Sequence, residues 1–145
     1  MESSDRHNLQ RFIDAQDGVI ETALAELRAG RKQSHWMWFV FPQLAGLGRS
    51  SMAQFYGIGS IAEARAYLGH PLLGQRLRDC VEAVGAWAGK RTPDQMLGPI
   101  DAMKLRSSLT LFDRVAPGSV FEDTLASLFD DNPDDRTLAL LNAEG

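Results

Sequence analysis

His35-Trp36-Met37-Trp38-Phe39-Val40-Phe41-Pro42-Gln43 sets six consecutive apolar residues between a histidine and a Pro-Gln pair. Four of the six are aromatic, and each large ring carries on the order of 150–250 Å² that folding hides from water. The run therefore belongs at the centre of the fold. Its composition would suit a strand, yet the chain holds one such run, and a lone strand has no neighbour to complete its ladder. It reads instead as a buried helical turn or an extended core segment. His35 and Gln43 carry polar side chains to the edge of the most apolar place in the sequence, which marks a candidate pocket.

On the N-terminal side of this block, Leu9, Phe12, Ile13, Ile20, Leu24 and Leu27 recur at helical spacing. They predict one amphipathic helix from about Asn8 to Ala29, with Gly30 as its C′ residue. Gln16 falls on the apolar stripe, either as a boundary residue or as an amide aimed into the interior. On the C-terminal side, Leu44–Ser51 reads as a loop because of Gly46 and Gly48. Its backbone N–H groups with Arg49 would hold an anion, or it is only a turn. Three capping boxes follow, Ser60–Glu63, Thr92–Gln95 and Ser119–Glu122. His70-Pro71 opens a helix from about Leu72 to Ala88, Pro99 opens another that Pro117-Gly118 closes, and Asn132-Pro133 opens the last. The expected fold is all-α: residues 1–7 as a tail, then one domain over 8–142, a compact orthogonal array of about six to eight helices.

The chain has 145 residues, enough for one domain that buries roughly two thirds of its unfolded surface. Its one cysteine, Cys80, lies in an apolar helical pattern and reads as a buried thiol in a reducing cytoplasm. The N-terminus lacks a leader pattern, and no apolar run is long enough to span a membrane. Fifteen basic against 19 acidic residues give a net charge of −4, which disfavours nucleic acid unless Arg28, Arg31, Lys32 and Arg49 share a surface.

Chemistry concentrates on Asp101-Ala-Met-Lys-Leu-Arg-Ser-Ser-Leu-Thr-Leu-Phe112. At about 100° per residue, Asp101, Lys104 and Ser108 lie within about 60° of one another, on the side of Leu105 and Phe112. Two readings stay open. Asp101 and Lys104 form a surface pair worth a few tenths of a kcal/mol, with the serine bonded to its own backbone. Alternatively, Lys104 binds a phosphate or carboxylate, Asp101 orients it or acts as a general base, and Ser107, Ser108 and Thr110 donate hydrogen bonds. His35 is either structural or the acid–base group, and His70 caps its helix. Neither histidine has metal-ligand spacing with Cys80, so no metal is expected. Trp36, Trp38 and Tyr56 are core residues or rings on which a ligand stacks.

The aromatic block, with Gly46-Leu-Gly48, Tyr56-Gly-Ile58, Ala66-Tyr-Leu68, His70, and Asp101 with Lys104–Phe112, resembles the bacterial family called domain of unknown function 1810. Phe12-Ile-Asp-Ala-Gln16 also fits that pattern, whereas Ile20 stands where the family favours tyrosine. The resemblance covers roughly residues 8–142 and implies an all-α single domain with no established reaction. A looser likeness in size, helical class and tryptophan-rich start connects it with NADAR proteins, which are linked to ADP-ribose and act as N-glycosidases. Their catalytic residues do not map one by one onto this chain.

The expected function is therefore a cytoplasmic protein binding an anionic, nucleotide-like or sugar-phosphate molecule. Lys104 and Arg49 would hold the phosphate, Trp36 or Trp38 would stack, and Gln43 would hydrogen-bond. His35 and Asp101 would serve if an N-glycosidic bond is hydrolysed. No cofactor and no membrane is expected, and oligomeric state stays open, as does catalysis. The alternative is a non-catalytic interaction module whose polar residues tie helices together.

Overall fold

The computed structural model describes residues 5–144, and these fold entirely through helices. Two long ones form the centre: α6 (Pro71–Gly85) and α8 (Pro99–Val115). Helix α6 packs on α2 (Ile20–Arg28), α5 (Ile61–Gly69) and α9 (Val120–Phe129); α8 packs on α5, α7 (Pro93–Leu97), α9 and α10 (Asp135–Glu144). The short α3 (Met37–Val40) sits between α1 (Gln10–Gln16), α4 (Ser51–Tyr56), α6 and α8. The aromatic block is therefore a helical turn at the centre, and Trp36, Met37, Val40 and Phe41 are each no more than 2% exposed. A chain of rings continues it, from Tyr56 through Phe12, Tyr67 and Phe112 to Phe121, with centroids 5.0–5.8 Å apart.

The described residues contain ten helices, more than the expected six to eight. The first amphipathic stretch is two helices rather than one. Asp17 turns extended and Gly18 takes φ +76°, a left-handed conformation open mainly to glycine. Both halves face the same core, so the apolar periodicity survives the break that separates α1 from α2. The expected loop after Gln43 is non-helical through Ser50, and α4 follows it directly with Ser50 as N-cap, whose Oγ accepts from Ala53 N–H at 3.1 Å. An isolated parallel bridge between Leu44 and Ile58 closes the loop around that helix, with Ala45 N–H on Ile58 O and Ile58 N–H on Gln43 O.

Of the capping boxes, Thr92–Gln95 forms in full, and Ser60 accepts from Glu63 N–H. Ser119 does not cap α9. Its hydroxyl donates backwards to Ala116 O, while Glu122 takes Gly118 N–H. The last helix begins two residues later than expected and is capped by Asp134, which accepts from both Thr137 N–H and Thr137 Oγ at 2.9 and 2.6 Å. Helix α6 ends at Gly85, earlier than Ala88, and His70 Nδ1 receives Leu72 and Leu73 N–H at its start. At the chain's start, the Asp5 carboxylate accepts from Leu9 and Gln10 N–H. Among the described residues no helix is long and apolar enough to cross a membrane.

Candidate functional site

A cleft of about 190 Å³ opens where α3, α4, α8 and the start of α10 meet. Its apolar walls come from Leu44, Leu47, Ile100 and Met103, and Trp38 and Tyr56 add two aromatic sides. Into this wall the fold sets Gln43, Lys104, Ser107, Asp134 and Arg136. Ile100 and Met103, one turn apart on α8, are 71% and 64% exposed and form an apolar rim. Two other depressions, one between Arg28 and Lys90 and one beside Gln10 and Asp14, are larger, about 420 Å³ each, but more open to solvent and lined mainly by charged or polar residues.

Each wall has an identifiable support. Tyr56 is held from α1 by Arg11, whose guanidinium donates to Phe55 O (2.8 Å) and Gly57 O (3.1 Å) on either side of it. Arg11 also pairs with Glu63 at 2.7 Å with both side chains about nine-tenths buried, a charge-assisted bond of the short, strong kind. The Gln43 backbone is fixed by the bridge to Ile58. Asp134 is brought in by α8: Arg106 grips Asn132 O and Pro133 O, and Thr110 Oγ accepts Asp134 N–H at 2.9 Å. Arg136 donates to Leu47 O across the cleft's edge at 3.2 Å.

Lys104 lies at the inner end, its Nζ 3.6 Å from the centroid of the Trp38 ring and 3.3 Å from Asp101 Oδ1. Lys32 takes the other oxygen of Asp101 at 3.0 Å and lies 5.1 Å from the Trp36 ring centroid. Two lysines thus share one carboxylate, so Asp101 does not neutralise Lys104 alone. A cation over an indole face is worth roughly 0.5–2 kcal/mol depending on desolvation.

Of the residues the sequence singles out, the structure gathers Trp38, Gln43, Lys104 and Ser107 in this cleft. The others lie elsewhere. His35 is exposed and outside it, and Arg49 is exposed on the loop. Trp36 is fully buried, with its indole N–H bonded to Glu26 at 2.9 Å. Asp101 is clamped between the two lysines behind the cleft. Ser108 is 1% exposed in the core, and Thr110 donates to Arg106 O while receiving Asp134. The Gly46–Ser50 loop contributes Leu47 and Gly48, and its one helix start is already capped by Ser50.

Glu26, Arg11 and Arg136 carry no sequence signal, because each is an ordinary charge on a solvated-looking helix face or loop, and Lys32 stands out only as part of a short basic cluster. Glu26 ties the block's start: it receives Gln33 N–H, Ser34 N–H, Ser34 Oγ–H and the Trp36 indole. Burial opposes its ionisation, but these donors, led by the Ser34 hydroxyl, outweigh it and hold its carboxyl at about 2. Cys80 is buried, and burial together with Asp79 pushes its thiol up to about 12, in keeping with the inert thiol expected.

Three unpaired polar groups gather at the cleft, whereas the core indoles and the Tyr67 hydroxyl are bonded; Asp113 Oδ1 on α8, outside the cleft, is the one fully buried side-chain atom without a partner among the described residues. Trp36 and Trp87 donate their indole N–H groups to Glu26 and Leu27 O, and Tyr67 Oη accepts from Gln16. The Trp38 indole N–H, the Tyr56 hydroxyl and the Gln43 side-chain amide have no protein partner among the described residues. Buried and half-buried polar groups are ordinarily paired, so three unpaired ones on a single concavity mark a place that meets solvent or a ligand.

These features define a helical protein with a partly apolar surface cleft that carries a lysine and three unpaired hydrogen-bonding side chains. The chain belongs to the DUF1810 family of proteins of unknown function, whose family model matches residues 6–141. A solved structure of the same fold is that of the conserved hypothetical protein Rv1873 from Mycobacterium tuberculosis. It is 48% identical, with a TM-score of 0.92 over 95% of this chain and 99% of that one. No protein with curated annotation matches the chain.

Proposed function

We propose that this protein binds a small anionic organic molecule in the cleft between α3, α4 and α8. The observation that carries the reading is the set of Trp38, Gln43 and Tyr56 polar groups, unpaired in the protein and collected beside Lys104. Small-molecule sites have this make-up, mostly apolar walls with a few convergent polar groups that fix orientation. The cation that counters the ligand's charge is Lys104, with Arg136 at the mouth.

Binding is favoured over hydrolysis of a glycosidic bond. Acid–base catalysis needs a titrating group within hydrogen-bond reach of the reacting atoms. His35 and Asp101 do not line the cleft, and the one carboxylate that does, Asp134, is engaged in capping α10. The interaction-module reading accounts for Arg11, Gln16 and Glu26, which do tie elements together, but leaves the free groups of the cleft without a role.

The test is a thermal-shift panel of small carboxylates, sugar phosphates and nucleotides. A ligand at about 100 times its dissociation constant adds roughly 2.7 kcal/mol to the folded state. For this chain length that raises Tm by several degrees. At least one compound class is expected to do so, with the shift lost in a Gln43→Leu, Lys104→Gln double variant. No shift across the panel, or a shift unaltered in the double variant, would remove the cleft as the site.

A further inference from the structure

We infer that the cleft's ligand is a single aromatic or heteroaromatic ring bearing one carboxylate, rather than a nucleotide or a sugar phosphate. The inference rests on the cleft being a binding site, and it narrows the ligand by size, charge and hydrogen-bond polarity.

Size comes first. A cavity of roughly 150 Å³ holds one benzene ring. At about 190 Å³ this cleft has room for a ring with a substituent of a few atoms. A nucleotide, with base, sugar and phosphate, would leave most of its surface outside, whereas small-molecule sites bury roughly 70–90% of their ligands. The walls also suit a ring: Leu44, Leu47 and Tyr56 give apolar sides, and Ile100 and Met103 form an apolar rim.

Charge comes second. The lining holds two cations, Lys104 and Arg136, and one carboxylate, Asp134, while Lys32 and Asp101 behind it cancel. One positive charge remains, which a monoanion balances and a phosphate monoester, near −2 at neutral pH, does not. Phosphate sites commonly use successive backbone N–H groups at a helix start or a glycine-rich nest. Here the start of α4 is closed by Ser50, and Arg49 does not reach the cleft.

Hydrogen-bond polarity comes third. The unpaired Trp38 indole is a donor only, the Lys104 ammonium is another, and the Tyr56 hydroxyl can donate. Gln43 offers both a donor and an acceptor, while the Ser107 hydroxyl donates to Met103 O and keeps its lone pairs. Donors prevail, so the ligand supplies acceptors, as a carboxylate does. Lys104 covers one face of Trp38, which places the carboxylate near that lysine and leaves the ring to the aliphatic walls.

The experiment follows the three indole N–H resonances of ¹⁵N-labelled protein, assigned with Trp38→Phe, Trp36→Phe and Trp87→Phe variants. The probes are benzoate and pyridine-3-carboxylate, the matching neutral amides, ribose 5-phosphate and inorganic phosphate. The Trp36 and Trp87 signals serve as controls, since both N–H groups are bonded within the protein. The Trp38 signal is expected to move saturably with the carboxylates, with the amides binding at least tenfold more weakly. Lys104→Gln should abolish that preference, and Lys104→Arg should retain most of it, which separates charge from folding. Movement of Trp38 by phosphates but not carboxylates, or equally by amides, overturns the ligand class and leaves the cleft as a site. No movement with any probe overturns the class as well, and the thermal-shift panel then decides the cleft by itself.

Discussion

Gln16 shows how much one polar side chain settles. It is 1% exposed on an otherwise apolar stripe, and its amide donates to Phe39 O at 2.7 Å and Tyr67 Oη at 3.0 Å while accepting from Arg76. Its place on the stripe was readable from spacing, and the sharper of the two readings, an amide aimed inward, is the one the structure bears out. Glu26 was not readable, since a glutamate at i, i+4 spacing among surface charges looks like any solvated residue until the chain folds back eight residues later. Its carboxyl is held at about 2 against an ordinary 4.5, so the sign of its linkage is fixed. The stabilisation is present above pH 4.5 and is lost as pH falls through that value toward 2. Urea midpoints measured from pH 6 to pH 2.5 are expected to drop along this limb, and Glu26→Gln should lower the midpoint at pH 6 and flatten the fall. An unchanged slope in the variant would show that these bonds do not bear on stability.

Among elements, α5 and α6 carry the closest approach. A Cβ on Gly74 would come 2.1 Å from Leu68 O, an atom of backbone that cannot swing aside. Gly74→Ala is expected to force the two helices apart and cost about 1–3 kcal/mol, the usual penalty of overfilling a packed interior. A urea denaturation curve measures it, and a loss under about 0.5 kcal/mol would mean that the crossing is looser than described. Helix starts with Pro or Thr signals, at Pro71, Pro93 and Pro99, were legible because those residues act locally. The break at Gly18, the helix α4 just after the glycine-bearing loop and the missing Ser119 cap were not. Helix α4 is enclosed by the Leu44–Ile58 bridge, which no short window contains, whereas the Gly18 break and the Ser119 hydroxyl's bond to Ala116 O are local alternatives that compete with the expected helix and cap at the same spacing.

For the whole molecule, the candidate site was legible in part for the same reason. Spacing along α8 grouped Lys104 with Asp101 and Ser108, neither of which lines the cleft, while Ser107, named only as a further donor, does; with Trp38 and Gln43 from the aromatic block, four lining residues could be named from sequence. Which face of the block is core and which is cleft could not, because that follows from where α4 and the start of α10 come to rest. The fold resolves it by giving Trp36 to Glu26 and leaving Trp38 to the cleft. His35, adjacent in sequence, ends outside, so nearness to the block was a poor guide to nearness to the site.

The central claim is that the Trp38, Gln43 and Tyr56 polar groups of the cleft are free for a ligand, while Trp36, Gln16 and Tyr67 in the core are used for folding. The two tyrosines test it directly, by urea denaturation of Tyr56→Phe and Tyr67→Phe in ligand-free protein. Tyr67→Phe removes a buried acceptor and leaves a Gln16 donor short of a partner, so a loss of about 1–3 kcal/mol is expected. Tyr56→Phe removes a hydroxyl with no protein partner, and stability is expected to stay within about 0.5 kcal/mol or to rise. A loss above about 1 kcal/mol for Tyr56→Phe, comparable with that for Tyr67→Phe, would contradict the account and assign the cleft's polar groups to the fold.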